Sequence, residues 1–147
     1  MAREITYDYI RGLTDGEGTF TFSTQRKRHL KIPAFSIKMH HRDKALLEAV
    51  RDKLCLSNKI YVYNHQGHDG SKRAPQAMLI VREIGQLKNI IVPLFYKTLI
   101  GNKAIQFEEW LDKIYKDPEV PHNYKILSIL AKSGFYAKNN KFKANVC

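Results

Sequence analysis

Two carboxylates stand two residues apart in "YIRGLTDGEGTFTFS" (residues 9–23): Asp15 and Glu17, each followed by a glycine. Glu17 falls where an apolar, glycine-dotted helical pattern gives way to a strict two-residue alternation. The C-terminal end of a helix is the negative end of its dipole, so a carboxylate there costs about 0.3 kcal/mol or more. Glu17 is either paired with a cation such as Arg11 or Lys38, or it is placed for a function, and the functional reading is favoured. Asp15 is more simply a carboxylate accepting backbone amides of the following turn. A calcium loop is excluded: with Gly18 as its invariant glycine, the first and last positions are Leu13 and Thr24, neither acidic. His65 and His68 in "HQGH" have no CxxC to complete a zinc site, and read as loop residues.

The totals bound what these acids serve. A chain of 147 residues is one domain, 1–147, large enough to bury a core. Lys and Arg number 25 against 14 Asp and Glu, a formal charge of +11. That excess implies a polyanionic partner, most often nucleic acid, less often an anionic membrane surface. No run approaches the ~18 apolar residues that span a bilayer, and "MAREITYDYIRG" lacks the apolar stretch of a secretory signal. Cys55, in an apolar helix, and Cys147, the last residue, fit an intracellular protein without a disulfide; the compartment is left open.

The elements that must position the acids follow from hydrophobic period and punctuation. Thr6 can cap a first helix, about 6–17, with Asp8 in its first turn. Gly12 and Gly16 lie four apart on one face, each costing about 1 kcal/mol relative to alanine; the spacing makes sense where another backbone passes close by. "TFTFST" alternates Phe20 and Phe22 with Thr19, Thr21 and Ser23, and a basic tip, "QRKRH", leads to a second strand, "LKIPAFSIKM". Asp43 can cap the helix "KALLEAVRDKLCL". "NKIYVYN" puts Ile60 and Val62 inward and Tyr61 and Tyr63 outward; "QAMLIV" is a fourth strand. The helix "IGQLKNIIV" must end or kink at Pro93. Asn102 can cap "KAIQFEEWLDKIYKD", and a last helix, "YKILSILAKSGFYAK", runs into a basic tail, about 121–147.

Two hairpins, each followed by a helix, predict an α+β fold with one four-stranded antiparallel sheet and its helices on one face. The other face then shows Thr19, Thr21, Ser23, Gln25, Lys27, Ser36, Lys38, Tyr61, Tyr63 and Arg82. Such donors, acceptors and cations on a twisted ribbon suit reading of a DNA major groove, although threonine and tyrosine are also simply good strand residues. Arg26, Lys27 and Arg28 at one hairpin tip, with Lys72 and Arg73 at the other, are placed for phosphate contact, adding salt dependence and little sequence preference.

Residues 10–18, "IRGLTDGEG", resemble the motif of the LAGLIDADG homing endonucleases: Ile10, Gly12, Leu13, Asp15 and Gly18 match in kind, and Glu17 replaces the second aspartate. "FSIKMHHRDKALLEAV" resembles that family's second strand and following helix, and "IVPLFYKTLIGNKAIQFEEWL" its later "P…NK…F" segment. The resemblance covers roughly residues 5–115 and implies an αββαββα unit whose sheet lies as a saddle along the DNA major groove. With one motif in the chain it also implies a homodimer, Tyr9, Gly12, Leu13 and Gly16 at the seam, and a near-palindromic target.

The resemblance further implies that two copies of Glu17 meet over the central base pairs, with the Gly16 carbonyl as a further ligand of Mg²⁺ or another hard divalent cation such as Mn²⁺ or Ca²⁺. The reaction implied is metal-dependent hydrolysis of phosphodiester bonds in double-stranded DNA, with no small-molecule cofactor, no membrane partner and an intron-encoded origin. Lys103, in "GNKAIQF", carries over as the lysine near the scissile phosphate. The polar residue that usually follows the second strand aligns with Met39, so Lys38 or His40 orders the water instead, or the register is one residue off. The alternative is a non-catalytic nucleic-acid binder of the same fold, an intron RNA splicing maturase or a regulator.

Overall fold

The computed structural model describes residues 3–64, 74–140 and 142. Helix α1 (Tyr7–Glu17) starts at Thr6, whose hydroxyl accepts the Tyr9 amide at 3.0 Å, as a capping threonine should. Two hairpins follow, each trailed by helix: β1 (Gly18–Gln25) and β2 (Leu30–His40), then α2 (Lys44–Lys53); β3 (Tyr61–Tyr63) and β4 (Gln76–Val81), then α3 (Ile84–Gln86). A π-helical segment (Leu87–Ile91) carries α3 into α4 (Val92–Phe95), and α5 (Asn102–Lys116), α6 (Ile126–Lys132) and α7 (Phe135–Asn139) complete the order.

The strands form one antiparallel sheet in the order β1-β2-β4-β3. Alternation decides its faces. Ala77, Leu79 and Val81 of β4 are fully buried, as are Phe35 and Ile37 of β2, and they face the helices together with Phe20 of β1. Phe20 is the hub of an aromatic cluster, with ring centroids 5.3 Å from Phe35, 4.9 Å from Phe107 and 5.3 Å from Trp110. The Trp110 indole N–H donates to the Thr21 carbonyl at 2.8 Å, so the ring is buried without an orphaned donor. The predicted α+β architecture, an antiparallel sheet with helices on one face, is the architecture observed.

Several local expectations change. Pro93 does not end its helix: the preceding turn widens to π geometry, with the Val92 N–H bonded to Leu87 O, and Pro93 opens the next α segment, where a missing N–H costs little. The last helix is two, because Gly134 adopts φ 85° between α6 and α7. Asp43 occupies the N-cap position of α2 without a side-chain bond to it. Gly101, not Asn102, is the N-cap of α5. Val62 lies on the inward side of β3, opposite Ala77, yet stays 49% exposed because β3 is a three-residue edge strand. Cys55 is exposed just beyond the end of α2, at φ 58°. His65, His68, Lys72, Arg73 and Cys147 lie outside the described residues. Among those described, no helix is long and apolar enough to cross a membrane.

Candidate nucleic-acid interface and catalytic carboxylate

The site begins where α1 hands over to β1. A Cβ on Gly18 would stand 2.6 Å from Thr14 Cγ2 and 2.9 Å from Thr14 O, so the chain can leave the helix straight into the sheet only with glycine there. Gly12 and Gly16 are different: both are exposed, and a Cβ on either would meet nothing within 4 Å. Tyr9, 48% exposed, and the partly buried Leu13 share that open side of α1. The opposite side is sealed by Ile10, Thr14 and Arg11. Arg11 does not pair with Glu17. Its guanidinium, 8% exposed, donates to Asp8 Oδ1 at 2.8 Å, Leu94 O at 3.0 Å and Phe142 O at 2.9 Å.

The two acids separate in role. Asp15 does not bond its own following turn. Its carboxylate accepts the backbone N–H of Ile100 at 3.1 Å and of Gly101 at 3.0 Å, at the start of α5. Asp15 is therefore at the unfavourable end of α1 but the favourable end of α5, whose N-cap glycine supplies no side chain. Nothing local in the sequence points to that partner. Glu17 is exposed, and among the described residues its carboxylate has no hydrogen bond or ion pair. Lys103 lies in the first turn of α5, two residues beyond the Gly101 amide that Asp15 holds, and is partly buried.

The outward face of the sheet follows the register. Thr19 lies opposite Ser36, which lies opposite Ile80; Lys38 lies opposite Met78, which lies opposite Tyr61; His40 and Tyr63 both flank Gln76. Lys38 is exposed, one residue beyond the Gly18–Ile37 pair that ends the β1–β2 ladder, with its ammonium 5.9 Å from the centroid of the Tyr63 ring. Lys59, missed in the sequence, sits likewise 5.6 Å from the Tyr61 ring. Met39 points the other way, packed partly buried against the core. His40 is partly used: its Nδ1 accepts the Arg42 amide at 3.1 Å, and its ring lies 4.5 Å from that of His41.

Arg82 reaches from the end of β4 to within 3.5 Å of Ser23 Oγ on β1, and its carbonyl accepts the Tyr124 hydroxyl at 2.7 Å. A shallow groove of about 430 Å³ opens there, lined in part by Ser23, Thr24, Gln25 and Arg82. Arg26, Lys27 and Arg28 form an exposed 3₁₀ turn at the tip of the β1–β2 hairpin. The tip end of the hairpin is clamped by Lys31, which pairs with Thr24 and whose ammonium is 3.0 Å from Asp117 Oδ2 and 3.6 Å from Glu119 Oε2. The Asp117 carboxyl is held below its usual range, first by the Glu119 amide and then by Lys31; the Lys31 ammonium is held up chiefly by Asp117.

Among the described residues no three His, Cys, Asp or Glu side chains converge on one point. One chain offers two hard oxygen donors at a single place, the Glu17 carboxylate and the Gly16 carbonyl in the last turn of α1, where helix carbonyls lack intrahelical partners. That donor set fits a hard divalent cation.

The chain matches the family model of the LAGLIDADG endonucleases over residues 10–114. Its fold is similar to that of the LAGLIDADG meganuclease I-CpaMI bound to uncleaved DNA, with TM-score 0.60 and 19% identity over 96% of this chain and 48% of that one. It is similar also to I-GzeII in complex with its DNA target, with TM-score 0.59 and 18% identity over 97% and 46%. The homing endonuclease I-TnaI matches with TM-score 0.54 and 24% identity over 89% of this chain and 99% of its own. The chain thus spans about half the length of I-CpaMI and I-GzeII and nearly all of I-TnaI.

Proposed function

This chain belongs to the LAGLIDADG endonuclease family, and from that membership we propose that it is a site-specific double-strand DNA endonuclease, working as a homodimer with a divalent metal. The observation that carries the reading is the state of Glu17: an exposed carboxylate with no partner among the described residues, at the negative end of a helix whose glycine face is open. A buried or salt-bridged acid there would need no further ligand. An unpaired one, in a chain of formal charge +11, needs a reason.

In the proposed dimer, Tyr9, Gly12, Leu13 and Gly16 of two copies meet, and the missing Cβ atoms let the helices approach closely. In that arrangement the two Glu17 carboxylates, with the Gly16 carbonyls, would hold Mg²⁺, Mn²⁺ or Ca²⁺. Bound there, such an ion supplies an activated water and charge stabilisation for in-line displacement at phosphorus. Water adds to phosphorus, the bond to the 3′ oxygen breaks, and a 5′ phosphate and a 3′ hydroxyl remain. Lys103, carried to the end of α1 by the Asp15 clasp, offers its ammonium to the charge that builds on the phosphate oxygens. Lys38 is the better group to order water, because His40 already commits Nδ1 to a backbone amide. Thr19, Thr21, Ser23, Gln25, Tyr61, Tyr63 and Arg82 face the groove, and Arg26, Lys27 and Arg28 face phosphates; Ser36, expected beside them, lies on the same face but is buried at 8% exposure and is not offered to DNA.

The test is digestion of a plasmid library at low salt, with Mg²⁺ or with chelator, alongside sedimentation of the protein free and on DNA. Discrete Mg²⁺-dependent linear products from a dimer support the reading. DNA retention without cutting across a rich library points to the non-catalytic binder, and a monomer in both states removes the dimer.

A further inference from the structure

The outward face of the sheet is not uniformly polar. Ile32 lies opposite Ser23, Ile80 opposite Ser36, and Met78 between Lys38 and Tyr61, so all three share the face that carries the cations. Each is partly buried, yet none belongs to the core cluster, whereas Phe22 and Met39, on the other face of the same hairpin, pack against it. These three apolar side chains are partly covered by their strand neighbours, but they lie outside the core and keep an edge turned outward. A purely solvated face has no use for them, and apolar outward positions on a sheet are a liability unless something covers them.

The covering partner is identified by charge. Lys38 and Arg82 rise from the same face, with Arg26, Lys27 and Arg28 at its end. Duplex DNA satisfies those cations, and in its major groove the apolar group that distinguishes one base pair from another is the thymine C5 methyl. We propose that Ile32, Met78 and Ile80 are specificity-determining residues that read thymine methyl groups, so that each half of the target carries thymines under this lane. The inference rests on the DNA-binding reading above and adds to it which base edge is read and by which side chains.

The first arm of the experiment leaves the protein unchanged, so folding does not enter it. Two randomised duplex libraries are prepared, one with thymine and one with uracil, which pairs identically but lacks the methyl. The full chain is used to select from each by retention. The thymine library is expected to yield a consensus with invariant T positions, and uracil at one of them to weaken binding about fourfold, the worth of one buried methyl group. Ile80→Ser and Met78→Gln should flatten the thymine preference at separate positions while still retaining DNA. Equal retention and the same consensus from both libraries overturns the methyl reading and leaves DNA binding standing. Retention of neither library overturns both, which makes the two failures distinguishable.

Discussion

Asp15 accepts the backbone N–H of Gly101 at 3.0 Å across 86 residues of sequence, so the carboxylate that ends one helix begins another. This contact, with the adjacent Ile100 bond at 3.1 Å, holds the last turn of α1 to the first turn of α5. Glu17 is two residues from one side of the clasp and Lys103 two residues from the other. The clasp therefore sets the spacing of the proposed catalytic groups without touching substrate.

Asp15→Ala removes both acceptors and the favourable charge at the start of α5. Because the carboxylate is only partly buried, the loss of stability should be about 1–2 kcal/mol, measured by urea denaturation. Cleavage should fall more than stability predicts, by about tenfold or more, since Lys103 loses its reference point. DNA affinity should hold. Equal cleavage per folded molecule in the variant removes the positioning role.

Gly18→Ala and Gly16→Ala should behave oppositely. At Gly18 the added methyl meets Thr14 at 2.6 Å, and overpacking of that kind costs about 1–3 kcal/mol. At Gly16 it meets open space within the chain and gains about 1 kcal/mol of helix propensity. The measured dissociation constant of the dimer should nevertheless rise in Gly16→Ala. A variant that self-associates as tightly as the parent places the seam elsewhere.

Glu17→Gln keeps the shape and hydrogen-bonding capacity of the side chain and removes its charge. Cleavage in Mg²⁺ should fall by about two orders of magnitude or more, while DNA retention is unchanged or improved, because a carboxylate no longer faces phosphate. Lys103→Met should lower cleavage with Mg²⁺ binding intact. Persistent cutting by Glu17→Gln, followed on linear plasmid products, ends the proposed role.

Tyr136 predicts alkaline behaviour. Burial pushes its phenol from 10.0 up to about 12, and its hydroxyl donates to Lys88 O at 2.9 Å. The folded state thus favours the neutral ring. That contribution is fully present below pH 10 and is lost as pH rises through about 12. The denaturation midpoint should fall over this window, and fall less in Tyr136→Phe, which starts about 1 kcal/mol lower for want of the hydrogen bond. Identical pH slopes in the two proteins contradict the assignment.

The amino-acid sequence alone determined what depends on neighbours within a few residues. Two-residue alternation sorted Phe20, Phe35 and Ile37 from Thr19, Ser36 and Lys38 onto the two sheet faces, and the four-residue spacing of Gly12 and Gly16 put them on one side of α1. Thr6 was readable as a cap, and the motif placed Glu17 at the helix end. Tertiary structure decided what depends on distant partners. It turned Asp15 toward Gly101 and Arg11 toward Leu94 and Phe142, and it let a π turn absorb Pro93. It also left Ile32, Met78 and Ile80 outside the core. The physical reason is range: hydrophobic period and capping act over one or two turns, whereas a carboxylate or guanidinium binds whatever backbone groups the packed chain brings to it.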